Sequence, residues 1–481
     1  MEASHDSGRA RQPAPTPIYS GEQNMGQPDP SLGWHHAQQF LSENPDLELI
    51  EVLLTDLNGT QRGKWIEPHK LDKLFQWDFK MPLSAVMPDI WGRDIEPLCD
   101  RTGDADGLIK PIVSTLKREP WLPRPTAQMM MSMVQQDGSP WGCDPRVVLE
   151  QVLARYQERG WTPVMAPELE FYLFQSQRGD QGQPLLPSTS LHGDCQIGGQ
   201  VYSTEMLQDS AELLHEIRQS CNEMGLPLDG LVKELSAGQF ELNMFHQQDP
   251  LKVADDVQSL KRLIKGVARK HDRTASFIAK PAAELAGNGM HVHVSLLDAD
   301  GNNLFDDGTD QGSELLRHAV AGLAQTLPES VLLLAPHLNS YRRMGGVHTP
   351  KVASWGYENR NASLRIPNGA AAARRIEYRL AGADSNIYLL LATMLAGVLY
   401  GIDNQLQPEA PSQDFESSQN SKIKLPTNWY SALEQFERSE FMREYLGRDF
   451  SQAYAIIKQR EQDEFRQHIS KLEYETYLAL V

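Results

Sequence analysis

Polar residues interrupt apolar, strand-like runs at a spacing of two in the second half of the chain. The run VMAPELEFYLF places Glu168 and Glu170 between apolar neighbours, and MHVHVSLLD places His291 and His293 in the same way. Residues i and i+2 of a strand point to the same face of a sheet. Each pair is therefore predicted to project together from a strand whose other face is apolar.

Helical periodicity occurs in long blocks between these strands. Asp144-Pro145 and Asp249-Pro250 each begin a stretch whose apolar residues recur at helical spacing, with Asp as the cap and Pro in the first turn. GQFELNMF, ASLRIP and RRIEYRLAG add strand-like runs. Strands interrupted by long helices favour an α+β fold with a mostly antiparallel sheet. The apolar run over residues 387–398 is too short to span a membrane and predicts a buried helix.

Turn and breaker residues divide the chain into three parts. Residues 1–32 are rich in Pro, Gly, Ser and Gln and predict a disordered tail. A helix near Trp34, then two strand-like runs around a turn at 57–59, predict a small α+β domain over residues 33–130. Pro-rich residues and a turn near 137–140 form the boundary, so the catalytic domain is predicted over residues 138–481.

Composition and charge narrow the class of protein. The 481 residues carry a formal charge of −19, which disfavours nucleic acid and anionic membranes as partners. Four scattered cysteines without a CxxC pair, and the absence of an apolar signal region, predict a cytoplasmic protein. The sequence has no GxxxxGK[ST] loop and no GxGxxG after a strand. Phosphoryl chemistry would therefore depend on metals and arginines.

If these strands lie side by side in one sheet, their carboxylates and imidazoles would form a metal site on its face. Carboxylates that close repel one another unless a cation lies between them, and Mg²⁺ or Mn²⁺ prefers such oxygen-rich ligands. A single ExE or HxH is usually a surface pair, but several within apolar strands favour metal ligands. Seven arginines within 38 residues either bind phosphate and carboxylate groups or form structural ion pairs. They are Arg342, Arg343, Arg360, Arg365, Arg374, Arg375 and Arg379.

Six blocks, in order, resemble the signature sequences of the glutamine synthetase family. They are MAPELEFYLF, KELSAGQFELNM, GNGMHVHVSL, NSYRR, ENRNASLRIP and RRIEYRLAGADSNIYLLLATMLAG. The resemblance implies a small N-terminal β-grasp domain and a large catalytic domain of the glutamine synthetase type, built on an antiparallel sheet. It also implies a homo-oligomer, commonly a dodecamer, with active sites between neighbours. Asp56 and the segment near Trp91 would then lie at a neighbour's site.

The resemblance also implies a role for each site residue, with two or more Mg²⁺ or Mn²⁺ ions per site. One ion would be held by Glu170, Glu234 and Glu241, and another by Glu168, His291 and Glu377. Arg343 and Arg379 would bind the substrate carboxylate and the transferring phosphate, and Gly287 would lie near the glutamate backbone. The nucleotide and its phosphates would contact His293, Ser295, Arg360 and Arg365. ATP would phosphorylate the γ-carboxylate of glutamate, and an amine would then attack γ-glutamyl phosphate.

Two stretches depart from the glutamine synthetase pattern. FKMPLSAVMPDIWG stands where the family has an Asp-Gly-Ser-Ser motif that helps to bind ammonium, and MGGVHTP stands where it has a flap glutamate. In this second stretch His348 could take a proton from the incoming ammonium group, or it could be a flap residue without chemistry. LPTNWYSALEQF, YLGRDF and ISKLEYETYL resemble the γ-glutamylpolyamine synthetase branch.

We therefore expect an ATP-dependent ligase that joins the γ-carboxylate of glutamate to a primary amine, putrescine or another polyamine. The alternatives are an ammonium-using glutamine synthetase and a γ-glutamyl ligase for a monoamine such as ethanolamine. A non-catalytic homologue is the alternative from another class, and the complete set of six metal ligands disfavours it.

Overall fold

In a computed structural model of the chain, residues 30–188, 199–346 and 349–481 are described. The predicted disordered tail falls outside these residues, apart from the beginning of the first helix. His348 and Cys195 fall outside them as well.

Five strands near the N-terminus form a mixed sheet in the order β2-β1-β5-β4-β3. They are β1 (Leu49–Thr55), β2 (Gln61–Ile66), β3 (Lys80–Pro82), β4 (Asp106–Arg118) and β5 (Thr126–Val134). The central pair, β1 and β5, is parallel, and the other pairs are antiparallel. The two strands predicted around the turn at 57–59 are β1 and β2. Strand β5 extends four residues past the predicted boundary at residue 130 because it completes this sheet.

Eight strands of the described residues form a second, larger sheet. They are β6 (Thr162–Gln175), β7 (Leu228–Lys233), β8 (Gln239–Met244), β9 (Arg273–Ser276), β10 (Met290–Leu297), β11 (Trp355–Tyr357), β12 (Leu364–Ile366) and β13 (Ile376–Tyr378). The order is β11-β12-β13-β10-β6-β8-β7, and β9 also pairs with β6. Only β11 and β12 run parallel. The predicted α+β class with a mostly antiparallel sheet is confirmed.

Helices cover and connect the two sheets. They are α1 (Pro30–Glu43), α2 (Asp72–Phe75), α3 (Glu96–Thr102), α4 (Pro145–Gln157), α5 (Thr204–Gln208), α6 (Ala211–Glu223), α7 (Pro250–Lys270), α8 (Glu314–Leu334), α9 (Ser340–Met344), α10 (Ile387–Asp403), α11 (Phe415–Ser418), α12 (Trp429–Arg438), α13 (Arg448–Gln467) and α14 (Lys471–Tyr477). Short 3₁₀ turns lie at Pro68–Lys70, Leu83–Val86 and Ala371–Ala373, and a π-helical turn at Met442–Leu446. Asp144 and Asp249 cap α4 and α7, as predicted, by accepting hydrogen bonds from first-turn amides at 2.8 and 3.1 Å.

Helix α10 forms the centre of the helical layer and is almost entirely buried, as its apolar sequence predicts. It crosses α8 at closely spaced glycines. A Cβ on Gly322 would lie 2.2 Å from the carbonyl oxygen of Gly397, so no larger residue fits at this crossing. Within the described ranges, no helix has the length and apolar character needed to cross a bilayer.

The turn after β1 docks the N-terminal sheet onto the helices. Asp56 is fully buried, and its carboxylate accepts hydrogen bonds from the amides of Asn58 and Thr60 and from Arg62 at 2.8–2.9 Å. Burial raises the pKa of Asp56 to about 6, although the charge of Arg62 acts in the opposite direction. This carboxylate thus lies inside its own chain, which corrects the expectation that it faces a neighbour's site. Trp91, by contrast, is 46% exposed.

Candidate active site

One face of the eight-stranded sheet gathers the predicted metal ligands. In antiparallel register, Glu168 lies opposite His291, Glu170 opposite Glu241, and His293 opposite Glu377. Directly opposite residues of an antiparallel pair share a face. Glu234 follows β7, and its amide is hydrogen-bonded to the carbonyl of Gln239 at 3.0 Å, which brings it beside β8.

Glu168 is hydrogen-bonded to both histidines of the HxH pair. One carboxylate oxygen lies 2.9 Å from His293 Nε2, and the other lies 3.3 Å from His291 Nδ1. Burial by itself would raise the pKa of Glu168, but these two hydrogen bonds outweigh it and lower the pKa. Glu168 is therefore an anion at the centre of the face.

The surroundings of Glu241 raise its pKa, whereas those of Glu168 lower the pKa of that residue. It is 8% exposed, and burial together with the charges of Glu168, Glu170 and Glu234 raises its pKa to about 9. Burial and the charge of Glu170 also raise the pKa of Glu234. Among the described residues, no basic side chain forms an ion pair with Glu170, Glu234 or Glu241. A divalent cation bound among these three carboxylates would supply the positive charge that no ion pair provides.

Within the part of the chain that the structure describes, two sets of three residues have ligand atoms that all lie within 4.8 Å of one another. One set is Glu168, Glu241 and His291, and the other is Glu168, His293 and Glu377. Both sets use Glu168. The first combines residues that the resemblance assigned to different ions, and the second adds His293, which the resemblance assigned to the nucleotide. Four of the six predicted ligands fall in these sets, namely Glu168, Glu241, His291 and Glu377, and the ligands of each ion stay a prediction.

Two of the clustered arginines bind a predicted metal ligand. Arg365 donates to one oxygen of Glu377 at 2.5 Å and also pairs with Glu358 at 3.2 Å, while Arg379 donates to the other oxygen of Glu377. Burial would raise the pKa of Glu377, but the charge of Arg379 leads the groups that lower it. The ion-pair interpretation of the arginine cluster thus holds for these two residues, and both lie at the candidate site.

Arg343 is a buried cation beside Glu170. Its Nη1 donates to the carbonyl of Leu380 at 2.7 Å, and no carboxylate of the described residues hydrogen-bonds it. Burial lowers the pKa of the Arg343 guanidinium, and the charge of Glu170 partly opposes this. A Cβ on Gly287 would lie 2.5 Å from Arg343 Cγ, so the predicted glutamate-binding glycine and arginine are neighbours.

The other predicted nucleotide-side residues are placed less centrally. Ser295 lies two residues beyond His293 on β10, on the same face and half-buried. Arg360 is exposed, and its charge acts on Glu358. His348 lies outside the described residues, so its two possible roles stay open.

Three further residues support the site, of which the sequence analysis named only Arg375, as a member of the arginine cluster. A Cβ on Gly289 would lie 2.9 Å from Arg343 Nη2 and 3.3 Å from Glu170 Oε1. Gln239 Nε2 donates to Glu170 Oε2 at 3.2 Å, and Arg375 Nε donates to His293 Nδ1 at 3.2 Å. Each lies two positions before a predicted ligand, so the same i, i+2 rule could have assigned all three to the site.

Comparisons with known proteins identify the family of the chain. Residues 142–477 match the sequence profile of the glutamine synthetase catalytic domain. The chain belongs to the glutamine synthetase family. It is therefore a ligase of that family, and the six predicted metal ligands lie within the matched residues.

Several relatives extend over nearly the whole chain. Gamma-glutamylputrescine synthetase PuuA of Escherichia coli (strain K12) is 38% identical over 444 residues, which cover 92% of this chain and 94% of the relative. Glutamate–isopropylamine ligase of Pseudomonas sp is 30% identical, with coverages of 91% and 96%. Glutamine synthetase of Thermotoga maritima is 29% identical, with coverages of 91% and 98%.

Solved structures share the fold. The structure "GmaS/ADP complex-Conformation 1" superposes with a TM-score of 0.80 at 27% identity, over 92% of this chain and 98% of that one. The structure "Apo GmaS without ligand" gives a TM-score of 0.78 at the same identity and coverage.

Proposed function

We propose that the protein is an ATP-dependent ligase that joins the γ-carboxylate of glutamate to a primary amine, with putrescine or another polyamine as the acceptor. The similarity to gamma-glutamylputrescine synthetase over 92% of the chain carries this proposal. Three carboxylates without an ion pair among the described residues, those of Glu170, Glu234 and Glu241, support the binding of Mg²⁺ or Mn²⁺. The proposed ligands are Glu168, Glu170, Glu234, Glu241, His291 and Glu377. Such ions, when bound, would neutralise phosphate oxygens during phosphoryl transfer.

The chain's own residues suit the two anionic substrates. Arg343, buried without a carboxylate partner in the described chain, is suited to bind the carboxylate of glutamate or the transferring phosphate bidentately. Arg379 and Arg365 fix Glu377 and keep it ionised. His293 accepts from Arg375 at Nδ1, which leaves its Nε2 hydrogen for Glu168 or for an incoming phosphate oxygen.

The stretch that replaces the ammonium motif disfavours ammonium as the natural acceptor. Between residues 79 and 92 the only acid is Asp89. Asp89 is 1% exposed, and its oxygens accept from the amides of Trp91 and Arg93 and from the Arg93 side chain at 2.8–3.0 Å. No carboxylate of this stretch is left to bind an ammonium ion.

A monoamine ligase is the second candidate. The similarity to glutamate–isopropylamine ligase, over 91% of the chain, favours it. The two candidates differ only in the acceptor, so a single assay with several amines separates them.

The test is a phosphate-release assay with ATP, Mg²⁺ and glutamate, in which the amine is varied. Putrescine, spermidine, isopropylamine, ethanolamine and ammonium are compared, and the product mass is measured. We expect release that requires both glutamate and putrescine, with a product of the mass of γ-glutamylputrescine. A clear preference for ammonium would overturn the proposal, and a preference for a monoamine would establish the second candidate. The Glu241→Gln variant is the inactive control.

We also propose that the protein assembles as a homo-oligomer, a dodecamer in the size that the family resemblance implies, and works in the cytoplasm. Apolar residues of the last helix and the segment after it are uncovered by the described chain, with Leu472 71% and Leu478 78% exposed. A patch of this kind is typical of a protein interface. Light scattering that gives the mass of a monomer would contradict the assembly.

A further inference from the structure

Two loops lie side by side at the edge of the carboxylate face. The first, residues 234–236, begins with Glu234, and the second, residues 284–289, ends at Gly289, whose amide donates to Glu170 at 2.8 Å. The amide of Ala286 donates to Ser236 Oγ at 2.7 Å. Gln239 binds both loops, because it accepts from the Ser236 amide at 3.2 Å and donates to the Gly287 carbonyl at 3.1 Å. Both loops are therefore attached to the metal-binding carboxylates.

Apolar side chains beside the first loop remain uncovered. Leu235 follows Glu234 directly and is 45% exposed. Tyr202 is 69% exposed, and its amide donates to the carbonyl of Lys233 at 3.0 Å. The φ of Tyr202 is +62°, a conformation that a non-glycine residue keeps only where its surroundings impose it. Two exposed apolar groups thus lie next to a buried group of acids.

The second loop has an acid at its outer end. Glu284 is exposed, and it forms no ion pair with any residue of the described chain. The carbonyl of the next residue, Leu285, accepts a hydrogen bond from Lys280, and the carbonyl of Ala286 accepts from Tyr172 at 2.8 Å. The backbone directly after Glu284 is thus fixed, and it leads within five residues to the amide that binds Glu170.

We propose that Tyr202, Leu235 and Glu284 recognise an alkyldiamine and so determine which amines the protein accepts. The two apolar side chains contact the methylene chain, and Glu284 binds the ammonium group at the far end. This inference rests on the proposed function. The attacking nitrogen must lose its proton to become a nucleophile, whereas the far nitrogen keeps its charge at neutral pH and needs an anion. A monoamine has no second charge, so Glu284 distinguishes the two classes.

The test compares a diamine with a monoamine of the same length. In Glu284→Gln, we expect the KM for putrescine to rise about tenfold, because a charge-assisted contact is lost, while the KM values for n-butylamine and glutamate stay unchanged. Glu434→Gln, on the exposed side of α12, is the matched control and should leave every constant unchanged. In Leu235→Ser, the KM should rise for both amines.

The outcomes separate this inference from the function it rests on. A wild-type protein that is inactive with every amine would contradict the proposed function itself. Wild-type activity with putrescine, together with an unchanged putrescine KM in Glu284→Gln, would overturn the diamine inference alone. An equal rise in KM for putrescine and n-butylamine would also overturn it, because that result indicates a general change in the loop. Thermal unfolding of each variant verifies that the fold is kept.

Discussion

Glu170 on β6 and Glu241 on β8 lie directly opposite each other in antiparallel register. Like charges at such a position destabilise a sheet, and Glu168 and Glu234 add to the repulsion at Glu241. A cation bound among these acids would offset the repulsion between their carboxylates. It also links stability to pH and to metal, which allows the site to be tested without an activity assay.

The first prediction concerns the metal-free protein. The pKa of Glu241 is raised from 4.5 to about 9, so its proton is bound more tightly in the folded state than in the unfolded state. The stability that this proton contributes is complete below about pH 4.5 and is lost as pH rises towards 9. With a chelator present, we expect Tm to fall as pH increases over this window.

Added Mg²⁺ or Mn²⁺ should reverse this fall, and more strongly at higher pH, because the metal competes with the proton for Glu241. The Glu241→Gln variant is the control, since it cannot titrate at this position. Differential scanning fluorimetry over the pH range measures both effects. An equally steep fall in the variant would show that Glu241 is not the group responsible.

The second prediction concerns Gly289, where a methyl group would contact Arg343, Glu170 and His291. We expect Gly289→Ala to fold but to lose about a hundredfold in kcat/KM, because it displaces groups that position both substrate and metal. Gly142→Ala is the matched control, since a Cβ there meets nothing within 4 Å. Activity near the wild-type level in Gly289→Ala would contradict this account.

The third prediction concerns Gln239, which is 1% exposed and donates to Glu170, Gly287 and Asn288 at 3.1–3.2 Å. Gln239→Glu keeps the shape but places an acceptor against the Glu170 carboxylate. We expect the affinity for Mn²⁺ to fall about tenfold to a hundredfold, as when a residue that orients a metal ligand is lost. Isothermal titration calorimetry with Mn²⁺ measures this change, and an unchanged affinity would exclude the positioning role.

The fourth prediction concerns the contact between helix α13 and the turn after β1 in the N-terminal sheet. Lys458 and Glu461 on α13 are fully buried and 2.8 Å apart, and both bind the side chain of Asn58 in the turn after β1. Lys458→Ala leaves Glu461 without a cation in this contact, so we expect a loss of about 3–5 kcal/mol in the free energy of unfolding. Urea unfolding measures it.

The double variant Lys458→Met, Glu461→Gln serves as the comparison for that loss. It removes both charges together, so it should recover much of the stability that the single variant loses. A single variant that unfolds at the wild-type urea concentration would contradict the importance of this buried pair.

The local pattern predicted a large part of the site. The i, i+2 spacing placed Glu168 with Glu170 and His291 with His293 on shared faces, because a strand alternates its side chains whatever surrounds it. Helix caps at Asp144 and Asp249 were equally local, since a cap depends only on the first turn of its own helix. The position of Asp56 could not be predicted by local rules. The resemblance placed it at a neighbour's site, but it is buried inside its own chain.

The sequence by itself determined the strands that carry the predicted ligands, the starts of α4 and α7, and the types of residue that can bind a metal, because these depend on neighbours within a few positions. Only the tertiary structure decided the register that sets Glu170 against Glu241 and His293 against Glu377. It also decided that Arg365 and Arg379 pair with Glu377, and that Glu284 lies on a loop attached to the site. Those contacts join residues far apart in the chain, so they depend on how the strands pair and the loops pack in three dimensions.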